Sequence, residues 1–277
     1  MLSPSKFIEG LPLIPLAIRD LAHWCPTRSG NLTVLQNRRR FGGGLWRHMS
    51  LNLKQCEMGY QTKAGIVLEA SEDHLEEAIS AIKDGKVIAV PTDTLYGFAC
   101  DACSAQAVNR IYEIKGRNQT SPLAISVADV SDISRFAIVD HLPPGLLDCL
   151  LPGPVTVVLS RGDSSDLEKS LNPGLDSIGV RVPDSNFIRA IARGSRSALA
   201  LTSANLSGQP SSVITTDFQN LWEHCAYIYD GGLLPAGRAG STVVDLTKPG
   251  TYKILRPGSA RDATTAILEK FCLEESS

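Results

Sequence analysis

No uninterrupted apolar run in the 277-residue sequence approaches the roughly 20 residues that a bilayer span needs, which argues against an integral membrane protein. Strict G-x-G-x-x-G, H-E-x-x-H and G-x-S-x-G patterns are absent, which counts against dinucleotide oxidoreductases, zincin proteases and α/β-hydrolases. The five histidines are isolated and form no triad or metal set. Seven cysteines are odd in number and scattered, so they do not outline a disulfide framework. Cys100 and Cys103 form one C-x-x-C, but there is no second pair and no histidine at ligand spacing, so both are read as ordinary thiols. What is present is 43% apolar and 20% charged, which excludes a disordered or collagen-like chain and suits a sizeable buried core.

The net charge of −2 conceals an asymmetry. Residues 1–61 hold eight Lys and Arg against three Asp and Glu, which leaves 19 basic and 26 acidic residues for the remainder. That basic, acid-poor extension, with the triplet Arg38–Arg40 and the run Gly42–Gly44, reads as an organellar transit peptide, with a disordered basic tail as the alternative. Met49 and Met58 offer internal starts for a cytosolic form. The expected address is therefore mitochondrial, cytoplasmic or both, with a plastid as a further candidate. An acidic body that binds a polyanion must do so at a local basic site.

From residue 62 to 277 the chain reads as one α/β domain on a mixed sheet. Strands are expected at 65–70, 87–90, 123–127, 155–159, 178–182, 198–201, 227–229, 241–245 and 252–255. Ser71 is expected to cap a helix with its apolar row at Leu75, Ala78, Ile79 and Ile82, and Ser104 to cap another through Val108, Ile111 and Tyr112. Further helices fall at 129–136, 143–150, 184–193, 216–224 and 263–271, with loops at 160–177 and 205–215.

Polar groups gather directly after buried strands, where functional residues on such sheets collect. Pro91–Gly97 reads as a turn rich in hydroxyls with a carboxylate. Lys115 lies seven residues after Val108 and so continues a buried helical face; with Gly116 and Arg117 it offers a point charge and a bidentate fork for phosphates. Thr202–Asn205 supplies small hydroxyl and amide groups. Gly231–Gly232 and Gly237–Thr242 supply glycine-rich backbone for an anion. Arg238–Ala239 stand where a phosphate loop needs Lys–Ser/Thr, so that loop is rejected.

The segments PTDTLYGFAC, KGRNQTSPLAISV, LLPGPVTVVL, IGVRVPD, LTSANLSG, GSTVVDL and ILRPG occur in an order, from about 65 to 270, that closely resembles the YrdC-type threonylcarbamoyl-AMP synthase family. The resemblance implies a single YrdC-like α/β domain, with a twisted mixed sheet and a deep basic groove. It implies an enzyme that joins ATP, L-threonine and bicarbonate with Mg²⁺, the ion held mainly by the ATP phosphates. The product would pass to a downstream tRNA threonylcarbamoyl transferase, with tRNA contact as a further expectation. On this chain it implies a catalytic set of Lys115, Arg117, Ser203 and Asn205. ATP contacts would come from these four with Thr156 and Arg256, and threonine contacts from Thr94, Tyr96, Arg117, Arg181 and Ser241. Asn118 stands where the family often has Pro, and Ser126 where many members place His.

The competing reading is a non-catalytic RNA-binding protein on the same fold. A carbamoyl-adenylate step in hydrogenase maturation is disfavoured because those proteins are longer and carry zinc-finger segments. A general ATPase is disfavoured because neither a P-loop nor a water-activating residue is evident.

Overall fold

The computed structural model describes residues 66–116, 122–235 and 237–276. The basic extension 1–61 and Arg117 and Asn118 lie outside them. The strands are β1 (Ile66–Glu69), β2 (Ile88–Pro91), β3 (Tyr96–Asp101), β4 (Ala124–Ser126), β5 (Val155–Ser160), β6 (Ser177–Arg181), β7 (Leu199–Ser203), β8 (Tyr227–Asp230), β9 (Thr242–Asp245), β10 (Thr251–Arg256) and β11 (Glu274–Glu275). They form one sheet in the order β1-β8-β2-β3-β7-β4-β6-β5-β9-β10-β11. Parallel pairs such as β4 with β6 and β5 with β9 occur beside antiparallel ones such as β3 with β7 and β5 with β6, so the sheet is mixed. The helices are α1 (Leu75–Lys83), α2 (Ala105–Lys115), α3 (Leu146–Leu150), α4 (Asn186–Ser195) and α5 (Arg261–Lys270). No helix among the described residues is long and apolar enough to cross a membrane.

Side chains alternate across a strand with period two, and here the alternation separates bulk from smallness. Phe98, Ile125, Val157, Val180 and Val244 belong to a large core cluster together with Val108 and Ile111 of α2, Leu146 of α3 and Leu268 of α5. The opposite face is covered only in part. Ala78 and Ile82 of α1 and Ile188 and Ile191 of α4 pack there on Ile88, Val90, Ala99 and Leu201. Each such isoleucine contributes about 1.5–3 kcal/mol on burial. The two helices approach closely because α4 carries Gly194, where a Cβ would lie 2.3 Å from Ile79 Cδ1.

Over β4, β6, β5 and β9 the same face carries Ala124, Gly179, Thr156 and Val243 in place of large residues. A cavity of about 860 Å³ opens over that stretch.

Several expectations are corrected. Ser71 makes no side-chain cap: the chain enters through a 3-10 turn, Glu72–His74, and α1 starts at Leu75. Ser104 does cap α2, accepting from Ala107 N. The stretches at 129–136 and 216–224 contain 3-10 helix, Val130–Arg135 and Thr215–His224. The Pro91–Gly97 turn gives way at Tyr96 to β3, a central strand absent from the expected set, as is β11. As expected of ordinary thiols, burial pushes up both Cys100, in the main core, and Cys103, where a hydrogen bond from Ser197 Oγ only partly opposes it.

Candidate functional site

The cavity is walled by strand ends and by two returning loops. Thr92 builds the first wall: its hydroxyl donates to Leu95 O at 2.7 Å and accepts from the amides of Thr94 and Leu95. This closes the turn after β2 and places Thr94 against the cavity. On β6 stands Arg181, 7% exposed, whose Nη2 donates to Asp93 Oδ1 and to Thr94 Oγ1. Its Nε has no hydrogen-bond partner among the described residues. Burial pushes this guanidinium down from its usual value, the Asp93 carboxylate opposes that, and Arg256 nearby adds to the downward push. An arginine stays charged through such a shift. Two cations therefore face the same space.

Arg256 is placed by the second wall. It ends β10 and donates from Nη2 to Ser241 O at 3.0 Å and to Ser241 Oγ at 3.3 Å. Ser241 Oγ in turn lies 2.7 Å from Thr156 Oγ1. The following Gly258 packs so tightly on this strand that a Cβ would sit 2.3 Å from Ser241 C. Thr94, Tyr96, Thr156, Arg181, Ser203, Ser241 and Arg256 thus all line one cavity. Tyr96 does so without offering its hydroxyl, which hydrogen-bonds Gly232 O and Asp230 Oδ1 and accepts from Gly231 N. The Gly231 and Gly232 amides are used inside the protein as well, the second on Asp230 Oδ1, so that part of the glycine-rich stretch is no anion cradle.

Lys115 and Asn205 stand behind the wall. Lys115 ends α2, where Gly116 takes the left-handed C-cap conformation. The lysine is 1% exposed and donates from Nζ to Ser203 O at 2.7 Å and to Asn205 Oδ1 at 2.9 Å, with Ser203 Oγ at 3.4 Å. The Asn205 amide closes the loop by donating to Gln209 O. Of the three described residues in the implied catalytic set, only Ser203 lines the cavity. Lys115 and Asn205 form one hydrogen-bonded unit with it, and Arg117 is not among the described residues.

Other contributors lie outside the implied site set. Arg238 lines the cavity and is fixed by Asp217 through bonds at 3.1 and 3.2 Å. Asn172, in a stretch read as mere loop, lines it too and clamps the entry to β4 through Leu123 N and O. Ser126 is fully buried in register with Arg181, on the cavity-facing side of the sheet, and its hydroxyl lacks a partner among the described residues. Charge is the common result: the lining contains Arg181, Arg238 and Arg256, and none of the described lining residues is Asp or Glu.

The Arg238 wall has a pH signature. Bonds from the Val213 amide, with those from Arg238 and the Ile214 amide, hold the Asp217 carboxyl below its usual value. A depressed carboxylate stabilises the fold above its unfolded pKa, and that contribution is lost as pH falls through the folded value. Asp217→Asn is therefore expected to cost about 1 kcal/mol at pH 7, a modest figure because Arg238 is half exposed, and progressively less below about pH 4. Urea unfolding of both proteins at pH 7 and pH 3 checks it: a gap that stays constant would mean that the carboxylate charge contributes nothing.

The Sua5/YciO/YrdC family model, described as telomere recombination, matches residues 80–258. The threonylcarbamoyl-AMP synthase of Bos taurus is 47% identical over 204 residues, covering 72% of this chain and 73% of that protein. That of Homo sapiens is 46% identical over 201 residues, covering 71% of each. Among solved structures, P. abyssi Sua5 complexed with L-threonine aligns with a TM-score of 0.65 at 29% identity, over 76% of this chain and 62% of that one. The chain thus spans under two thirds of that archaeal protein and close to three quarters of the mammalian ones. A family model that covers residues 80–258 and relatives 46–47% identical over most of the chain place it in the Sua5/YciO/YrdC family, to which the chain belongs.

Proposed function

We propose that the protein is an L-threonylcarbamoyladenylate synthase, making threonylcarbamoyl-AMP and pyrophosphate from L-threonine, bicarbonate and ATP. The observation that carries this reading is the cavity of about 860 Å³ whose described lining holds three arginines and no carboxylate. The relatives named above carry the same activity in their names, and the P. abyssi structure carries threonine.

The chemistry asks for such a space. The threonine amine, once deprotonated, condenses with bicarbonate to a carbamate with loss of water. A carbamate oxygen then attacks the α-phosphorus of ATP and pyrophosphate departs. Nucleophile and electrophile are both anionic, and two unit charges 4 Å apart repel by about 4 kcal/mol at an effective dielectric of 20. Fixed cations offset this without reorganising during the step. Arg181 with Thr94 would hold the amino acid. Thr156, Ser241 and Arg256 would hold the nucleotide and carbamate side, and Ser203, braced by Lys115 and Asn205, would donate to phosphate oxygens. No nucleophilic side chain is required, because the carbamate is the nucleophile.

Mg²⁺ enters as part of MgATP. The donor set does not fit a resident ion: no group of three His, Cys, Asp or Glu side chains gathers among the described residues, and the lining offers hydroxyls and cations. The product, a mixed anhydride, is suited to hand its threonylcarbamoyl group to a transferase acting on adenosine 37 of tRNA. The Arg-rich residues 1–61 support a mitochondrial address, with Met49 and Met58 as starts for a cytoplasmic form.

The purified full chain, given MgATP, bicarbonate and ¹⁴C-threonine, is expected to release pyrophosphate and a labelled adenylate, both requiring threonine and bicarbonate. Pyrophosphate released equally without either would replace this reading with another adenylating reaction. Folded protein that yields neither product would shift it to a binding role.

A further inference from the structure

Asp93 lies outside the cavity lining and has no role assigned above, yet among the described residues it is the one carboxylate bonded to the cavity's most buried lining cation. It sits in the turn between β2 and β3, and its side chain is 8% exposed. Its two oxygens are divided: Oδ1 accepts from Arg181 Nη2 at 2.5 Å, and Oδ2 accepts from the backbone amide of Asp184 at 3.1 Å. One carboxylate thus ties the turn after β2 to both the end of β6 and the loop that leads into α4. Thr94, its neighbour in sequence, takes a second contact from the same Nη2.

The guanidinium is therefore gripped on one side only. Nη2 is satisfied and Nε is enclosed, so Nη1, which bonds no described residue, is the nitrogen left to the cavity that the side chain lines. A planar fork held by one terminal nitrogen keeps a fixed orientation while its other terminal nitrogen stays available for a second anion. Burying a lone arginine is costly, and Asp93 offsets part of that cost without itself lining the cavity.

From this geometry we infer that Asp93 is the positioning residue for Arg181: it aims the guanidinium so that its other terminal nitrogen meets the carboxylate of the amino-acid substrate. The inference rests on the threonine-adenylate reading above and extends it to a residue that touches no substrate. Its action is on amino-acid affinity. The nucleotide side, built by Thr156, Ser241 and Arg256, shares no hydrogen bond with Asp93.

The test is equilibrium dialysis of ¹⁴C-threonine against the full chain, with steady-state KM for ATP measured in parallel, for wild type, Asp93→Asn, Arg181→Gln and the double variant. Asp93→Asn is expected to raise the Kd for threonine by about tenfold or more, since misplacement of a positioning group by an ångström costs up to about 10²-fold. The KM for ATP should stay within about twofold, and in the Arg181→Gln background the Asp93 substitution should have no further effect, because coupled residues lose additivity. An equal loss for threonine and ATP, or an Asp93 effect that persists undiminished without Arg181, would overturn the assignment in favour of a merely structural role. Circular dichroism monitors folding. Should Asp93→Asn fail to fold, Asp93→Glu decides: it keeps the charge but moves the carboxylate by one methylene, so positioning predicts at least about a threefold weaker threonine affinity, and an unchanged affinity refutes it. Wild-type protein that binds no threonine would instead sink the function proposed above, and this inference with it.

Discussion

Lys115→Met should lower threonylcarbamoyl-adenylate formation by about 10²–10³-fold, the usual cost of removing one preorganised donor. Methionine keeps the length and most of the apolar stem of a residue that is 1% exposed, so α2 retains its packing. What disappears is the ammonium that holds Ser203 O, Ser203 Oγ and Asn205 Oδ1 together. Ser203 O keeps the Asn205 amide and Asn205 Oδ1 keeps the Ser203 hydroxyl, so neither is orphaned, but the end of β7 loosens where Ser203 meets the cavity. The expected pattern is a large fall in kcat with a modest fall in melting temperature. Measured kcat and KM on folded protein check it, and near-normal turnover would remove the Lys115–Ser203–Asn205 unit from the mechanism.

The second large effect is on stability. At Gly258 an added Cβ would lie 2.3 Å from Ser241 C and Thr242 N and 2.4 Å from Gly240 O, all backbone atoms that cannot swing aside. Gly258→Ala must therefore push the Arg256–Gly258 segment off β9. A loss of about 3 kcal/mol is expected, the upper end for an overpacked site. Activity should fall as well, because the displaced segment carries Arg256 away from Ser241. Gly162→Ala is the matched control: its nearest neighbours would be 3.8 Å away, and its stability should stay within about 0.5 kcal/mol of wild type. Chemical denaturation of the two variants side by side decides the matter, and equal midpoints would contradict the packing described for Gly258.

Much of this was legible in local pattern, and the parts that were not share a cause. The burial of Lys115 follows from its position seven residues after Val108, since helical spacing is read along the chain alone. Most strands follow from β-branched runs. β3 escaped because Tyr96, Phe98 and Cys100 alternate with Gly97 and Ala99, and the two small residues break the appearance of a run. Gly97 is small for a reason visible only in three dimensions: a Cβ there would meet Leu201 Cδ1 at 2.7 Å. The pairing of Arg181 with Asp93, 88 positions away, leaves no periodic trace. Nor could sequence say that the Tyr96 hydroxyl turns toward Asp230, because which side of a strand meets the cavity depends on which half of the sheet the helices cover. The resemblance by motif order supplied residues for the site, whereas their division into cavity wall and supporting layer required the coordinates.

The split sheet has a consequence for how this chain can change. In β4, β5 and β6 neighbouring residues answer to different demands: Ile125, Val157 and Val180 to the core, and Ala124, Thr156, Gly179 and Arg181 to the cavity. Substitutions at adjacent positions therefore fail in different ways, one by loss of folded protein and the next by loss of chemistry in a protein that still accumulates. A single inserted or deleted residue exchanges the two sets at a stroke, placing valines where the substrates belong and an arginine in the core. Variation in these strands is thus confined to one-for-one replacement, and length changes are left to the connecting loops.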